Sequence, residues 1–146
     1  MLDESDIRER LPHRGDMLLL TRVLEWERGT SIVAEVDVSA DAFWVEGHFP
    51  GNPVMPGVLI AEAVAQAAAL LVVMGAEELG GHEMYLVGLD RYRIRRPVVP
   101  GETLKIAVRL ERQRKTFCTF DGEAWVGEER VAEGRWLAAL GTKEGA

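Results

Sequence analysis

Gly57-Val-Leu-Ile-Ala-Glu62-Ala-Val-Ala-Gln66-Ala-Ala-Ala-Leu-Leu-Val-Val-Met74 is almost wholly apolar, interrupted only by Glu62 and Gln66. A helix built from it has no polar stripe to offer solvent and must be covered on all sides. A membrane span is the rival explanation. The run is borderline against the roughly 20 residues that a bilayer needs. A carboxyl group near its middle would cost about 2.5–3.5 kcal/mol on insertion scales. Ala61, Ala63, Ala65, Ala67, Ala68 and Ala69 make it weakly hydrophobic and suited to close packing. The run therefore reads as a buried helix and not as a membrane span. It starts near Pro56, because proline suits the first helical position, and ends near Gly80-Gly81, where glycines can take left-handed geometry.

The flanking sequence alternates with a period of two, the signature of half-buried strands. Residues from about Met17 to Trp26 read as a strand, and Arg28-Gly29 as a turn. Ile32, Ala34, Val36 and Val38 alternate with polar neighbours, apart from Val33. A loop rich in Gly and Pro runs from Ser39 to Pro56. Beyond the helix, Leu86-Val87 opens a strand in which Tyr92 and Ile94 alternate with arginines. Leu104, Ile106, Val108 and Leu110 give the cleanest alternation, and two further strands, about 117–126 and 130–140, flank a turn at Gly127. One apolar helix among amphipathic strands implies an α+β fold in which a sheet wraps the helix. The helix has more apolar surface than one sheet face covers, so a second subunit is expected.

At 146 residues the chain reads as a single domain over 1–146, long enough to bury roughly 68–70% of its unfolded surface. Its 47% apolar content and mixed charges indicate a folded, soluble protein. A net charge of −7 argues against nucleic acid as partner. The single cysteine, Cys118, excludes an internal disulfide and points to a cytoplasmic setting. In its alternating stretch Cys118 reads as an inert core thiol. The acidic N-terminus lacks a signal peptide's apolar segment. Three separated histidines and that cysteine form no metal-ligand spacing. Neither a metal nor another cofactor is expected.

Chemistry concentrates around the helix start. His48 sits in Gly47-His-Phe-Pro-Gly-Asn-Pro-Val-Met-Pro-Gly57, a loop shaped by glycines and prolines, and offers a base that titrates near neutrality. On its own a loop histidine held by backbone hydrogen bonds explains it equally well. Glu62 has no charged partner on any helical face. Burial should leave it protonated, with a raised pKa, or held by a specific partner. Gln66, one turn on, is within hydrogen-bonding reach. The first N–H groups of the helix, at Gly57 and Val58, have no internal acceptor and form a candidate oxyanion site. Arg91, Arg93, Arg95 and Arg96 form a basic cluster on an acidic chain. From charge alone it reads as a solvated strand face, the alternative being a docking patch for an acidic partner.

Leu11-Pro-His-Arg14, the block from Gly47 to Ile60, Glu62-Ala-Val-Ala-Gln66 and Arg95-Arg-Pro-Val-Val-Pro-Gly101 together resemble the 3-hydroxyacyl-[acyl-carrier-protein] dehydratases of FabZ type, over about residues 11–140. That resemblance implies a hot-dog fold and a homodimer with active sites at the subunit interface, commonly assembled as a trimer of dimers. It implies His48 and Glu62 as a catalytic pair from opposite subunits, and the N–H of Gly57 polarising a thioester carbonyl. An acyl carrier protein would dock on basic residues near the tunnel mouth, which favours the Arg91–Arg96 cluster. His13 matches the family and is expected to serve structure, and His82 to be an exposed loop residue. Gly15-Asp-Met-Leu-Leu19 stands where the family has Tyr-Pro-Phe-Leu-Leu, and Phe43-Trp-Val-Glu46 where it has Pro-Phe-Phe and a variable residue. These departures leave acyl-chain preference open. Two rivals to dehydration remain. One is a hot-dog thioesterase using Glu62 alone; the other is a non-catalytic module that binds acyl carriers or acyl-CoA.

Overall fold

The computed structural model describes residues 1–76 and 83–141. Helix α1 spans Glu4–Arg10, strand β1 Arg22–Glu27, β2 Ser31–Asp37, and helix α2 Gly57–Gly75. Strands β3 (Met84–Ile94), β4 (Thr103–Arg114), β5 (Phe117–Val126) and β6 (Glu129–Leu140) follow. The strands make one antiparallel sheet in the order β1-β2-β4-β5-β6-β3. The sheet curls around α2, giving the expected hot-dog arrangement.

The period of two does what it promised. Ile32, Ala34 and Val36 of β2, Leu104, Ile106 and Val108 of β4, and Cys118, Phe120 and Ala124 of β5 are all buried against the helix. Burial pushes the Cys118 thiol up, away from the reactive thiolate. Helix α2 is buried around most of its circumference from Ile60 to Val73. By mean hydropathy (2.1) and length it could cross a membrane, yet 72% of the apolar window is covered by the rest of the chain. The sheet is its solvent.

Gly122 brings β5 close to the helix. A Cβ there would stand 2.7 Å from Val64 of α2 and 2.7 Å from the Trp136 ring of β6. With no side chain at Gly122, the Trp136 indole lies over the helix and donates from Nε1 to the Ala61 carbonyl at 3.0 Å.

Several expectations need correction. The stretch from Met17 does not enter a strand at once. Gly15–Met17 is a 3₁₀ turn, and β1 begins only at Arg22. Leu20 is buried without strand pairing, so its apolar neighbours serve the core and not a ladder. Helix α2 stops at Gly75, where Arg28 donates to the Gly75 carbonyl and Ala76 leaves helical geometry. Gly80-Gly81, the expected terminus, lies outside the described residues. Helix α1 was not anticipated. Its signal is the capping box in which Asp3 and Asp6 accept from each other's backbone N–H, with Arg8 and Arg10 in the last turn. The alternation in β3 breaks at Arg91, whose φ of 54° accompanies a register slip between Asp90 and Arg93.

Strand β3 is one edge of the sheet, and among the described residues its far side is unpaired. Tyr85, Leu86, Val87, Leu89 and Ile94 are all exposed along it. An apolar edge of this kind is a template for pairing with another chain.

Candidate active site

The loop before α2 is folded by its own backbone. Phe49 and Asn52 exchange hydrogen bonds (3.1 and 2.8 Å) around Pro50-Gly51, with Gly51 at a φ of 74° that favours glycine. The His48–Phe49 peptide is cis. His48 is tied three ways: its N–H donates to Trp44 (2.9 Å), its carbonyl accepts from Val54 (2.7 Å), and ring Nδ1 meets the Val54 carbonyl at 2.7 Å. A carbonyl can only accept, so the proton of the neutral ring is assigned to Nδ1. Nε2 is left with a free lone pair. Being held by backbone bonds therefore does not prevent this histidine from keeping Nε2 bare.

The same loop delivers the helix start. Pro56, expected as the first helical residue, is instead the N-cap one position before it, and its carbonyl accepts from Leu59 (2.9 Å) and Ile60 (3.2 Å). That leaves the N–H groups of Gly57 and Val58 without an acceptor in the helix. Tyr92 of β3 donates its hydroxyl to the Gly57 carbonyl at 2.7 Å and stacks edge-on against Trp136. Burial pushes the Tyr92 phenol up to about 12, so it stays a donor. A Cβ on Gly57 would collide with Ile94. His48 and Gly57 open into one cleft of about 370 Å³, bordered by Ile60, Ile94, Arg95 and Arg96.

Glu62 lies elsewhere. Five residues at 100° each turn it about 140° around the helix from Gly57. It faces a narrow slot whose other walls include Ala65, Ala69, Met84, Phe120 and Trp136. Within one subunit the His48 cleft and the Glu62 slot are separate. The specific partner for Glu62 comes from outside the helix: His13 Nε2 stands 3.3 Å from Glu62 Oε2. Gln66 Nε2 donates to the same oxygen at 3.0 Å. Burial on its own would raise the Glu62 carboxyl, but His13 and Gln66 outweigh it and hold the group below the ordinary carboxylate value. The raised pKa read from the sequence is thus corrected, because His13 is 49 positions away and no helical periodicity points to it. Its signal was only its place in Leu11-Pro-His-Arg14.

Gln66 is fully buried. Its Nε2 also donates to Met17 (2.6 Å), and its oxygen accepts from Leu19 (3.0 Å). Gln66 meets the slot through Glu62. The four arginines do not share one patch. Arg91 opens onto the outer sheet face beside Arg109 and Arg135. Arg95 and Arg96 border the His48 cleft, with Arg95 paired to Glu133 and Arg96 to Glu102 (2.9 Å) and Glu129 (3.1 Å). Arg93 is exposed. His82 falls outside the described residues.

Comparison with known proteins assigns nearly the whole chain to one family. Residues 11–135 match the FabA-like domain family. The chain is 47% identical over 150 residues to the 3-hydroxyacyl-[acyl-carrier-protein] dehydratase FabZ of Bordetella pertussis, with 98% of each chain covered. It is 45% identical over 140 residues to the FabZ of Pelotomaculum thermopropionicum, covering 96% of this chain and 99% of that one. In fold it superposes on a solved structure, the dehydratase heterocomplex ApeI:P from Xenorhabdus doucetiae, with a TM-score of 0.82 at 23% identity, over 94% of this chain and 91% of that one. The chain belongs to the FabA-like family and, within it, to the FabZ-type 3-hydroxyacyl-[acyl-carrier-protein] dehydratases.

Proposed function

We propose that the protein catalyses reversible loss of water from a (3R)-3-hydroxyacyl thioester carried on acyl carrier protein, giving the trans-2-enoyl thioester of type II fatty-acid synthesis. The observation that carries the division of labour is the hydrogen bond from His48 Nδ1 to the Val54 carbonyl, which leaves Nε2 bare in the cleft it shares with Gly57. Nε2 takes the α-proton. The electron pair of that C–H bond moves toward the thioester carbonyl, whose oxygen is held by the N–H of Gly57, with Val58 beside it. The C3–O bond then breaks as Glu62 delivers a proton to the departing hydroxyl, directly or through water. Positioned acid–base groups supply typically 10²–10⁴-fold, and one oxyanion donor about 10²–10³-fold.

The lowered Glu62 carboxyl bears on direction. Neutral His48 with protonated Glu62 is ready for dehydration; protonated His48 with ionised Glu62 is ready for hydration. The two states hold the same number of protons, so a substrate can draw on either. In the free subunit the lowered Glu62 carboxyl favours its ionised form. Cover over the slot, from a second subunit or an acyl chain, removes water and pushes the carboxyl upward.

Separate cavities for His48 and Glu62 support a centre completed between two copies, joined along the free edge of β3, with three such dimers making the hexamer common in the family. Glu62 of one copy then faces His48 of the other, Gln66 acts by holding Glu62, and the alanine-lined slot takes the acyl chain. Arg95 and Arg96, with Arg93 nearby, border the cleft where an acidic carrier would approach. Arg91 is the outlying member of that docking set. The setting is cytoplasmic.

The test is hydration of a crotonyl thioester by purified protein. His48→Ala and Glu62→Gln should each lose about 10²–10⁴-fold in kcat with the oligomer intact. Near wild-type turnover in either variant overturns the role given to that residue. Release of free thiol in step with loss of the enoyl chromophore would indicate hydrolysis instead.

A further inference from the structure

We propose that His13 is a positioning residue for Glu62: with Gln66 it clamps one carboxylate oxygen, Oε2, and leaves Oε1 as the oxygen presented to substrate. This rests on the catalytic role proposed for Glu62. The clamp is visible in the distances, 3.3 Å from His13 Nε2 and 3.0 Å from Gln66 Nε2, both to Oε2. Two donors on one oxygen fix the rotation of the carboxylate about its last bond. The other oxygen then faces the slot.

The loop is built to hold His13 there. Leu11 is buried in the core, Pro12 fixes its own φ, and Arg14 donates to the carbonyls of Leu11 and His13, at 2.7 Å each. Gln66 pins the following residues through Met17 and Leu19. The remaining ring atom selects the tautomer. His13 Nδ1 is buried with no hydrogen-bond partner among the described residues. A proton there would bury an unpaired N–H, so the ring's proton belongs on Nε2, directed at Glu62. His13 thus meets the carboxylate as a donor through Nε2.

Among the described residues nothing else that titrates lines the slot with Glu62. Among the described residues lining the slot, α2 adds only alanines, and β3, β5 and β6 present Met84, Leu86, Phe120, Trp136 and Ala138. Removing His13 leaves burial opposed by Gln66 alone, so the Glu62 carboxyl should rise.

The experiment measures steady-state hydration against pH for His13→Ala, His13→Gln, Glu62→Gln and the His13→Ala/Glu62→Gln double variant, in the intact oligomer. His13→Ala should lower kcat roughly 10–100-fold, as expected for a reacting group released from its alignment, with KM nearly unchanged. The pH limb that Glu62→Gln abolishes should move to higher pH. His13→Gln, which restores a neutral donor, should recover most of kcat. The double variant should be no slower than Glu62→Gln alone. An unmoved limb, or a further loss in the double variant, overturns the positioning role. If His13→Ala does not fold, His13→Gln and its pairing with Glu62→Gln decide by the same two criteria. An active Glu62→Gln would instead sink the reading of Glu62 itself.

Discussion

Substituting Gly122 with Ala adds one methyl group at a close approach between sheet and helix. The new Cβ would stand 2.7 Å from Val64 Cγ1, 2.7 Å from Trp136 Cζ3 and 2.9 Å from Trp136 Cε3. Non-bonded carbons prefer about 3.5–4.0 Å, so both neighbours must retreat by roughly an ångström. Neither can do so easily. Val64 is β-branched and fully buried on α2. The Trp136 indole is held by its bond to the Ala61 carbonyl. Overpacking of this kind costs typically about 1–3 kcal/mol. At roughly 2–4 °C per kcal/mol for a domain of this size, Gly122→Ala should lower Tm by about 2–12 °C. Melting curves at matched protein concentration would measure it, since association also shifts Tm. Adding Val64→Ala makes room on one side and should recover part of the loss. A Gly122→Ala protein with wild-type Tm, or a double variant that simply sums the two losses, would refute the idea that Gly122 sets the spacing.

Two further outcomes are expected. The Arg22 guanidinium, hydrogen-bonded to Asp37, holds the Asp37 carboxyl below its usual range. Such a group stabilises the fold above its unfolded value of about 3.9, and the effect is lost as pH falls through the lower folded value. Arg22→Gln should therefore move acid unfolding to higher pH at low salt, with the difference shrinking in high salt; identical acid midpoints would contradict this. On the β3 edge, Val87 is 54% exposed and Leu89 41%. Leu89→Lys should weaken self-association, seen as a smaller species by size-exclusion chromatography with light scattering, and an unchanged mass would place the subunit contact elsewhere.

Much of this molecule can be read from its chain because two periodicities are clean. The unbroken apolar run from Gly57 could only be a covered helix, and β2, β4 and β5 carry their cores on alternate residues. The His48 loop was legible for a similar reason, since Pro50-Gly51 prescribes its turn. What escaped was non-local. Glu62 looked partnerless because periodicity reports only on neighbours along one helix, whereas His13 arrives from a loop 49 positions earlier. The arginines looked like one patch because a strict alternation puts Arg91, Arg93 and Arg95 on one face. The bulge at Arg91 shifts the register and separates Arg91 from the two at the cleft. Helix α1 escaped because its capping box is made of two aspartates.

The 140° turn between Gly57 and Glu62 means that each copy of α2 would serve two reaction centres: its opening N–H groups belong to one, and its carboxyl group, a turn and a half later, to the other. In a symmetric pair, any shift of this helix along or about its axis is felt by both at once. The centres would then be mechanically linked. A substitution under α2 that alters one should alter its twin in the same stroke, and a mixed pair carrying a His48→Ala copy and a Glu62→Gln copy should keep one working centre and lose the other.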